Sequence, residues 1–171
     1  MTRIEFIENK IWTIEEAKRK RALFDFKNEK VVFTNGCFDI LHVGHLTYLA
    51  KAAQLGKRLI IGLNADVSVK QLGKGDNRPV NPELARAMVI AALGFVDGVV
   101  IFNEMTPENL IDTLQPDVLV KGGDYDENET NPSSKRFIVG SEYVKSYGGQ
   151  VVTIPLVEGF STTGLIERLQ K

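Results

Sequence analysis

Cysteine is almost missing from this chain: Cys37 is the only one in 171 residues, so no disulfide can form within it. With only two histidines beside it, the ligands for a structural zinc site are too few, and no metal ligand is assigned. An excess of one charge is lacking too. Lys and Arg number 21 against 22 Asp and Glu, for a net charge of −1. That balance excludes bulk electrostatic attraction to nucleic acid or to an anionic membrane and leaves room only for a local basic patch. No apolar run approaches the roughly 20 residues needed to cross a bilayer. The opening segment MTRIEFIENKIW has neither an apolar stretch nor a small-residue cleavage site, as a secretory leader would. We therefore expect a soluble, cytoplasmic protein with no nucleic-acid or membrane partner. Several chemical signatures are absent as well. There is no G-x-G-x-x-G after an apolar run, no G-x-x-x-x-G-K-[ST] and no H-E-x-x-H, which disfavours dinucleotide, Walker-type and metalloprotease readings.

What is present is a chain 43% hydrophobic, enough for one core in a domain of this length. Its organising stretch is residues 31–49, VVFTNGCFDILHVGHLTYL. Val31, Val32 and Phe33 read as a short buried strand. A glycine-containing turn from Thr34 to Asp39 follows. His42 and His45 then stand as H-x-G-H around Gly44, where an amphipathic helix begins. A strand that passes through a glycine turn into a helix N-terminus aims free N–H groups and the positive dipole end at one place. Two imidazoles add donors that can take charge near neutral pH. The stretch reads as a phosphate-handling site.

Further apolar runs at 58–64, 99–102, 118–120 and 151–154 read as strands, separated by helical patterns. Thr13 to Glu16 is a capping box for a helix of thin apolar spacing, so loose packing is expected there. Its Lys18, Arg19, Lys20 and Arg21 read as a solvated face. Asn81, Pro82 and Glu83 begin another helix, with Asn81 as the cap and Leu84, Ala87, Met88 and Ala91 facing the core. Residues 67–80 read as a basic loop and 125–136 as a polar one. The alternation predicts an α/β fold: a Rossmann-like, doubly wound parallel sheet of five strands with helices on both faces. Residues 1–29 would be an N-terminal helical extension and 30–171 the main domain. Ligands of such sheets bind beyond the C-terminal strand ends. The polar stretches 34–45, 64–78, 121–124 and 158–163 all follow strands and should converge on one rim. Asn64 and Asp66 become candidates through that position.

T-N-G-C-F-D-x-L-H-x-G-H resembles the signature of the cytidylyltransferase-like nucleotidyltransferases. Within that group the wording is closest to bacterial D-glycero-β-D-manno-heptose 1-phosphate adenylyltransferases. Lys121-Gly122-Gly123-Asp124-Tyr125 and Glu158-Gly159-Phe160-Ser161-Thr162-Thr163 resemble the group's K-G-G-D-Y and E-G-x-S-T-T. The resemblance implies transfer of AMP from ATP to heptose 1-phosphate, giving ADP-heptose for lipopolysaccharide core and pyrophosphate, with Mg²⁺ carried by the triphosphate. It implies that His42 and His45 bind phosphates and stabilise the transition state. It also implies that Thr34, Asn35, Gly36, Cys37, Phe38 and Asp39 line the nucleotide site, with Cys37 contributing backbone. Lys121, Gly122, Gly123, Asp124, Phe160, Ser161, Thr162 and Thr163 complete that site. A phosphate-binding lysine is expected from the loop after the second strand. The K-x-x-x-K-G-D spacing is one residue longer than in the heptose enzymes, which leaves both Lys70 and Lys74 open, Lys70 the favoured of the two. Arg78 is a further phosphate candidate, and Arg86 is either a substrate arginine or a structural ion pair. Relatives are often homodimers, and many are fused to a sugar kinase, which here would be a separate polypeptide. Leu156-Val157 stand where glycerol-3-phosphate cytidylyltransferases carry an Arg, and segment 125–136 is longer than in the heptose enzymes. A cytidylyltransferase acting on an alcohol phosphate, a pantetheine-phosphate adenylyltransferase and a non-catalytic nucleotide-binding module stay open beside the heptose reading.

Overall fold

The computed structural model describes residues 1–72, 78–157 and 159–169, the side chains of 163 and 167–169 excepted. Its six strands are β1 (Ile11–Trp12), β2 (Val31–Gly36), β3 (Arg58–Asn64), β4 (Gly98–Phe102), β5 (Val118–Gly122) and β6 (Gln150–Ile154). They form one sheet in the order β1-β4-β3-β2-β5-β6, with every neighbouring pair parallel. Five match the expected strands. The sixth, β1, comes from the segment expected to be helical: Ile11 pairs with Val99 and Trp12 with Val100. Two residues are too few to show alternation, so only the partner strand reveals them.

The helices are α1 (Arg3–Glu8), α2 (Ile14–Phe26), α3 (Val43–Ala53), α4 (Asp66–Gln71), α5 (Glu83–Ala91), α6 (Glu108–Leu114), α7 (Ser141–Ser146) and α8 (Thr162–Leu169). Alternating residues of the strands feed two cores. Val32, Ile61 and Val120 pack with Leu49 and Ala52 of α3 and Ile90 of α5. Phe33, Ile60 and Leu119 pack with Phe24 of α2, Ile111 and Leu114 of α6 and Val144 of α7. The sheet is thus covered on both faces, as a parallel sheet requires.

Three local expectations need correcting. Helix α2 keeps its capping box, with Thr13 N–H donating to the Glu16 carboxylate at 2.8 Å and Glu16 N–H to Thr13 Oγ1 at 3.2 Å. It is nonetheless well anchored. Ala17 is fully buried, and Arg21 leaves the solvated face to donate to the Leu114 and Gln115 carbonyls at 2.9 and 3.0 Å. Those carbonyls end α6, where a cation also meets the negative end of the helix dipole. Next, residues 66–71 are the helix α4 rather than loop. The Asp66 N–H at its start is held by the Glu83 carboxylate at 2.7 Å, a partner distant in sequence. Last, α5 starts after Pro82 without a side-chain cap. Asn81 instead donates to the Asp39 carbonyl at 2.8 Å. The inward face of α5 is Arg86, Ala87, Ile90 and Ala91; Leu84 is exposed and Met88 half-buried.

β2 is the middle of the fold, pairing with β3 on one side and β5 on the other. The chain winds outwards from it in both directions, so the ends of β2 and β5 form the switch point where such folds bind ligands.

The short β1 gives a test of edge packing. A Cβ on Gly98 would lie 2.1 Å from the Trp12 ring, whereas one on Gly94 would meet nothing within 4 Å. Gly98→Ala should lower unfolding stability by about 1–3 kcal/mol through overpacking, and Gly94→Ala should not, as read from urea titrations of the two variants.

Candidate active site

The turn after β2 is held from below by buried charge. Phe38 takes a left-handed backbone conformation (φ +43°). Its ring lies against Gly36, where a Cβ would come within 3.0 Å of it. Asp39 is buried, and its carboxylate accepts from Val80 N–H at 2.8 Å, Asn81 N–H at 3.0 Å and Arg78 Nε at 2.5 Å. Burial works against its charge, yet the two backbone N–H groups and the Arg78 guanidinium hold its carboxyl below the usual carboxylate range. Arg86, also buried, donates to the Cys37 carbonyl at 2.6 Å and the Asn81 carbonyl at 2.9 Å and pairs with Asp66 at 2.7 Å. Arg86 thus makes an ion pair with Asp66. Asp39 fastens the chain segment around 78–81 to the turn.

Helix α3 begins directly beyond. His42 is its N-cap, with Nδ1 accepting from the His45 N–H at 3.3 Å. An acceptor Nδ1 puts the proton of the neutral ring on Nε2. The two imidazoles stack with centroids 3.8 Å apart. Phe38 meets the His45 ring edge-on at 5.4 Å, and Phe160 lies 6.3 Å from the His42 ring. Burial pushes the His42 imidazole below its ordinary value. Gly44 is what lets this pile form: a Cβ there would stand 3.0 Å from His42 Nδ1 and 3.1 Å from Phe160 Cβ.

From the end of β5, Lys121 reaches across to the side chain of Asn35 and lies 5.3 Å from the centre of the Tyr125 ring. Gly122 and Gly123 leave space for the segment after β6: Cβ atoms there would meet Leu156 at 3.0 Å and Pro155 at 3.1 Å. At the start of α8, the Ser161 hydroxyl accepts from Gly164 N–H at 3.0 Å.

These elements enclose a cleft of about 860 Å³. It brings together Asn35, Gly36, Cys37, Phe38, Asp39, His42, Gly44, His45, Asn64, Arg78, Lys121, Gly122, Asp124, Phe160, Ser161 and Thr162. Other candidates stand outside its lining. Thr34 lies behind the turn and hydrogen-bonds Tyr48 at 2.7 Å. Asp66 and Arg86 are occupied with each other, Gly123 packs on Pro155, and Lys70 is exposed near the end of α4. Lys74 and Glu158 are outside the described residues, as is the side chain of Thr163. The cleft also gains residues that sequence reasoning had not singled out: Tyr48, Met105, Thr106, Pro107, Ser134 and Lys135. The first is signalled by helical spacing from His45. The rest are contributed by loops whose placement no motif encodes. Among the described residues, no group of three or more His, Cys, Asp or Glu is arranged to hold a metal ion. No described helix is long and apolar enough to cross a membrane.

Comparison with known proteins bears on this arrangement directly. The profile of the cytidylyltransferase-like family matches residues 33–168. The chain belongs to that family of nucleotidyltransferases. It is 53% identical over 154 residues to "bifunctional protein HldE" of Syntrophotalea carbinolica, covering 90% of this chain and 28% of that protein. It is 52% identical over 163 residues to the protein of the same name from Campylobacter concisus, covering 95% and 31%. The chain thus spans less than a third of the length of these curated relatives. Among solved structures it resembles a lipopolysaccharide core biosynthesis protein from Thermoplasma volcanium, with TM-score 0.57, 25% identity and coverage of 75% of this chain and 97% of that one. A pantoate-β-alanine ligase from Francisella tularensis shares the fold at TM-score 0.59 and 13% identity, covering 94% and 76%.

Two measurements follow from the histidine geometry. The unfolded chain takes up a proton at His42 near pH 6.5 and the folded chain only below that. Between those points the unfolded state holds more protons, so stability from this group is complete above about pH 6.5 and is lost as pH falls. An NMR titration of the two histidines should find His42 as the Nε2–H tautomer at pH 7, with a midpoint below about 6.5. Gly44→Ala, which would ordinarily favour a helix, should displace the His42 ring and lower nucleotidyl transfer by about 10²-fold, with little change in unfolding midpoint.

Proposed function

We propose that this protein transfers AMP from ATP to D-glycero-β-D-manno-heptose 1-phosphate, releasing pyrophosphate and forming ADP-heptose. The observation that carries the reading is the stacked His42–His45 pair at the N-terminus of α3, facing Ser161 and Lys121 across one cleft. Support also comes from identity of about 50% to the HldE proteins and from the lipopolysaccharide-core protein of the same fold.

The reaction asks for positioning and charge stabilisation more than for proton transfer. The acceptor is already an ionised phosphate. One of its oxygens attacks the α-phosphorus in line, the bond from that phosphorus to the bridging oxygen breaks, and pyrophosphate leaves with the electron pair. His42 donates from Nε2–H. His45 and the N–H groups opening α3 add donors on the same side. The start of α8, with Ser161 and Thr162, takes phosphate oxygens from the facing wall. Lys121, positioned by Asn35, places positive charge at the strand ends. The triphosphate brings Mg²⁺ as part of the substrate, where the ion lessens phosphate charge; we assign it no protein ligands. ATP as donor places the reaction in the cytoplasm. A sugar kinase activity must supply the 1-phosphate.

The test is pyrophosphate release with Mg²⁺, crossing ATP and CTP with heptose 1-phosphate, glycerol 3-phosphate and phosphopantetheine. Release is expected with ATP plus heptose 1-phosphate and should fall by about 10²–10⁴-fold in His42→Ala or His45→Ala. His42→Asn, which keeps a capping side chain, should be as inactive as His42→Ala while unfolding later in urea. Turnover confined to CTP and an alcohol phosphate would replace the heptose reading, and nucleotide binding without turnover in any pair would replace catalysis itself.

A further inference from the structure

Segment 125–136 is polar and turn-rich, and a free loop of that composition would be disordered in solution. Here it is tied down at both ends. Asp126 N–H donates to the Arg136 carbonyl at 2.9 Å, and the two side chains pair at 3.2 Å. The Glu127 carbonyl accepts from Lys145 Nζ of α7 at 2.5 Å, and its carboxylate accepts from Thr153 N–H of β6 at 3.3 Å. Within the loop, the Glu129 carboxylate accepts from Thr130 and Asn131 N–H groups, both at 3.0 Å, and Asn131 Oδ1 accepts from Ser133 N–H at 3.0 Å. The acidic side chains of this loop are therefore engaged with its own backbone, its own arginine or β6. What it presents to the cleft is Tyr125, Pro132, Ser134 and Lys135.

The cleft-lining cations differ in what they already do. Arg78 is paired with Asp39, and Lys121 is bonded to Asn35 beneath the Tyr125 ring. Lys135 is exposed, and among the described residues no ion pair involves it. It lines the same cleft as Met105, Thr106 and Pro107, the residues that follow β4. The histidines, Phe160 and the start of α8 gather around the N-terminus of α3. In-line displacement requires the entering oxygen and the departing pyrophosphate to lie on opposite sides of the α-phosphorus. If the α3 side takes the pyrophosphate, the acceptor enters from the other. Two polyanions must meet there, and their approach calls for positive charge beyond Lys121, whose ammonium is bonded to Asn35, and Arg78, which Asp39 already neutralises.

We propose that the 125–136 segment forms the acceptor wall of the cleft and that Lys135 binds the phosphate of the acceptor phosphomonoester. This rests on the nucleotidyltransferase reading above but not on the identity of the sugar. The lysine thus reaches the acceptor from a loop rather than from a strand end or a helix start.

The experiment uses wild type, Lys135→Met and Lys135→Arg. Heptose 1-phosphate and, in parallel, glycerol 3-phosphate are titrated calorimetrically in the presence of α,β-methylene ATP, and steady-state KM values are measured for ATP and for each acceptor. Lys135→Met should weaken acceptor binding by about tenfold or more and raise acceptor KM alike, with KM for ATP within twofold. Lys135→Arg, keeping the charge, should recover most of the loss. A Lys135-dependent phosphomonoester site without turnover in wild type would keep this inference and remove the catalytic one. Equal acceptor binding in wild type and Lys135→Met, binding in neither, or a change confined to ATP would overturn it.

Discussion

Arg86 and Asp39 are charges removed from water beneath the turn that the site is built on, and each is surrounded by partners that make its burial tolerable. Arg86 is 2% exposed and donates to two carbonyls, of Cys37 and Asn81, besides its ion pair with Asp66. Asp39 is 3% exposed and accepts from two N–H groups and a guanidinium. Isolated buried charges cost several kcal/mol each, and removing one partner leaves that cost uncompensated. The arrangement ties together residues 37–39, 66, 78, 80–81 and 86. The turn after β2, α4, the approach to α5 and α5 itself are thereby locked to one another. Phe38 can then hold its left-handed backbone, and His42 can start α3 at a fixed place.

From that fixed point the chemistry is a matter of stacking and capping. His42 serves the helix through Nδ1, so the proton of its neutral ring sits on the other nitrogen. The close approach of His45 and the absence of a side chain on Gly44 keep the two rings parallel. A protonated His42 would have to give up its cap. The lowered proton affinity that burial imposes and the capping role therefore act in the same direction, keeping the ring a neutral donor near pH 7.

The motifs were legible because they are local. T-N-G-C-F-D-x-L-H-x-G-H occupies twelve consecutive residues, and a strand, a turn and a helix start need no distant partner to be recognised. The paired histidines, Asn35, Lys121 and Ser161 all come to the cleft where the alternation of strands and helices placed them. Lys70 and Lys74 are candidates only through their spacing from a motif. Lys70 lies on a short helix whose first N–H is held by Glu83, a contact between residues seventeen apart that leaves no pattern in either segment. Lys135 carries no signal for the complementary reason: it sits in a stretch whose composition reads only as loop.

Amino-acid order alone determined the alternation of apolar runs, hence a parallel sheet with two covered faces, and the glycine turn into H-x-G-H, hence a helix start that carries both imidazoles. Both follow from interactions within a few residues. Tertiary structure alone decided which charges are buried: nothing in the local sequence shows that Arg86 and Asp39 lose their contact with water while Arg21 stays half-buried. It decided that Ile11 and Trp12 are a strand, because two residues gain that conformation only from the partner edge of β4. And it decided which loop cations face the cleft, because that depends on where hydrogen bonds to β6 and α7 hold the loop.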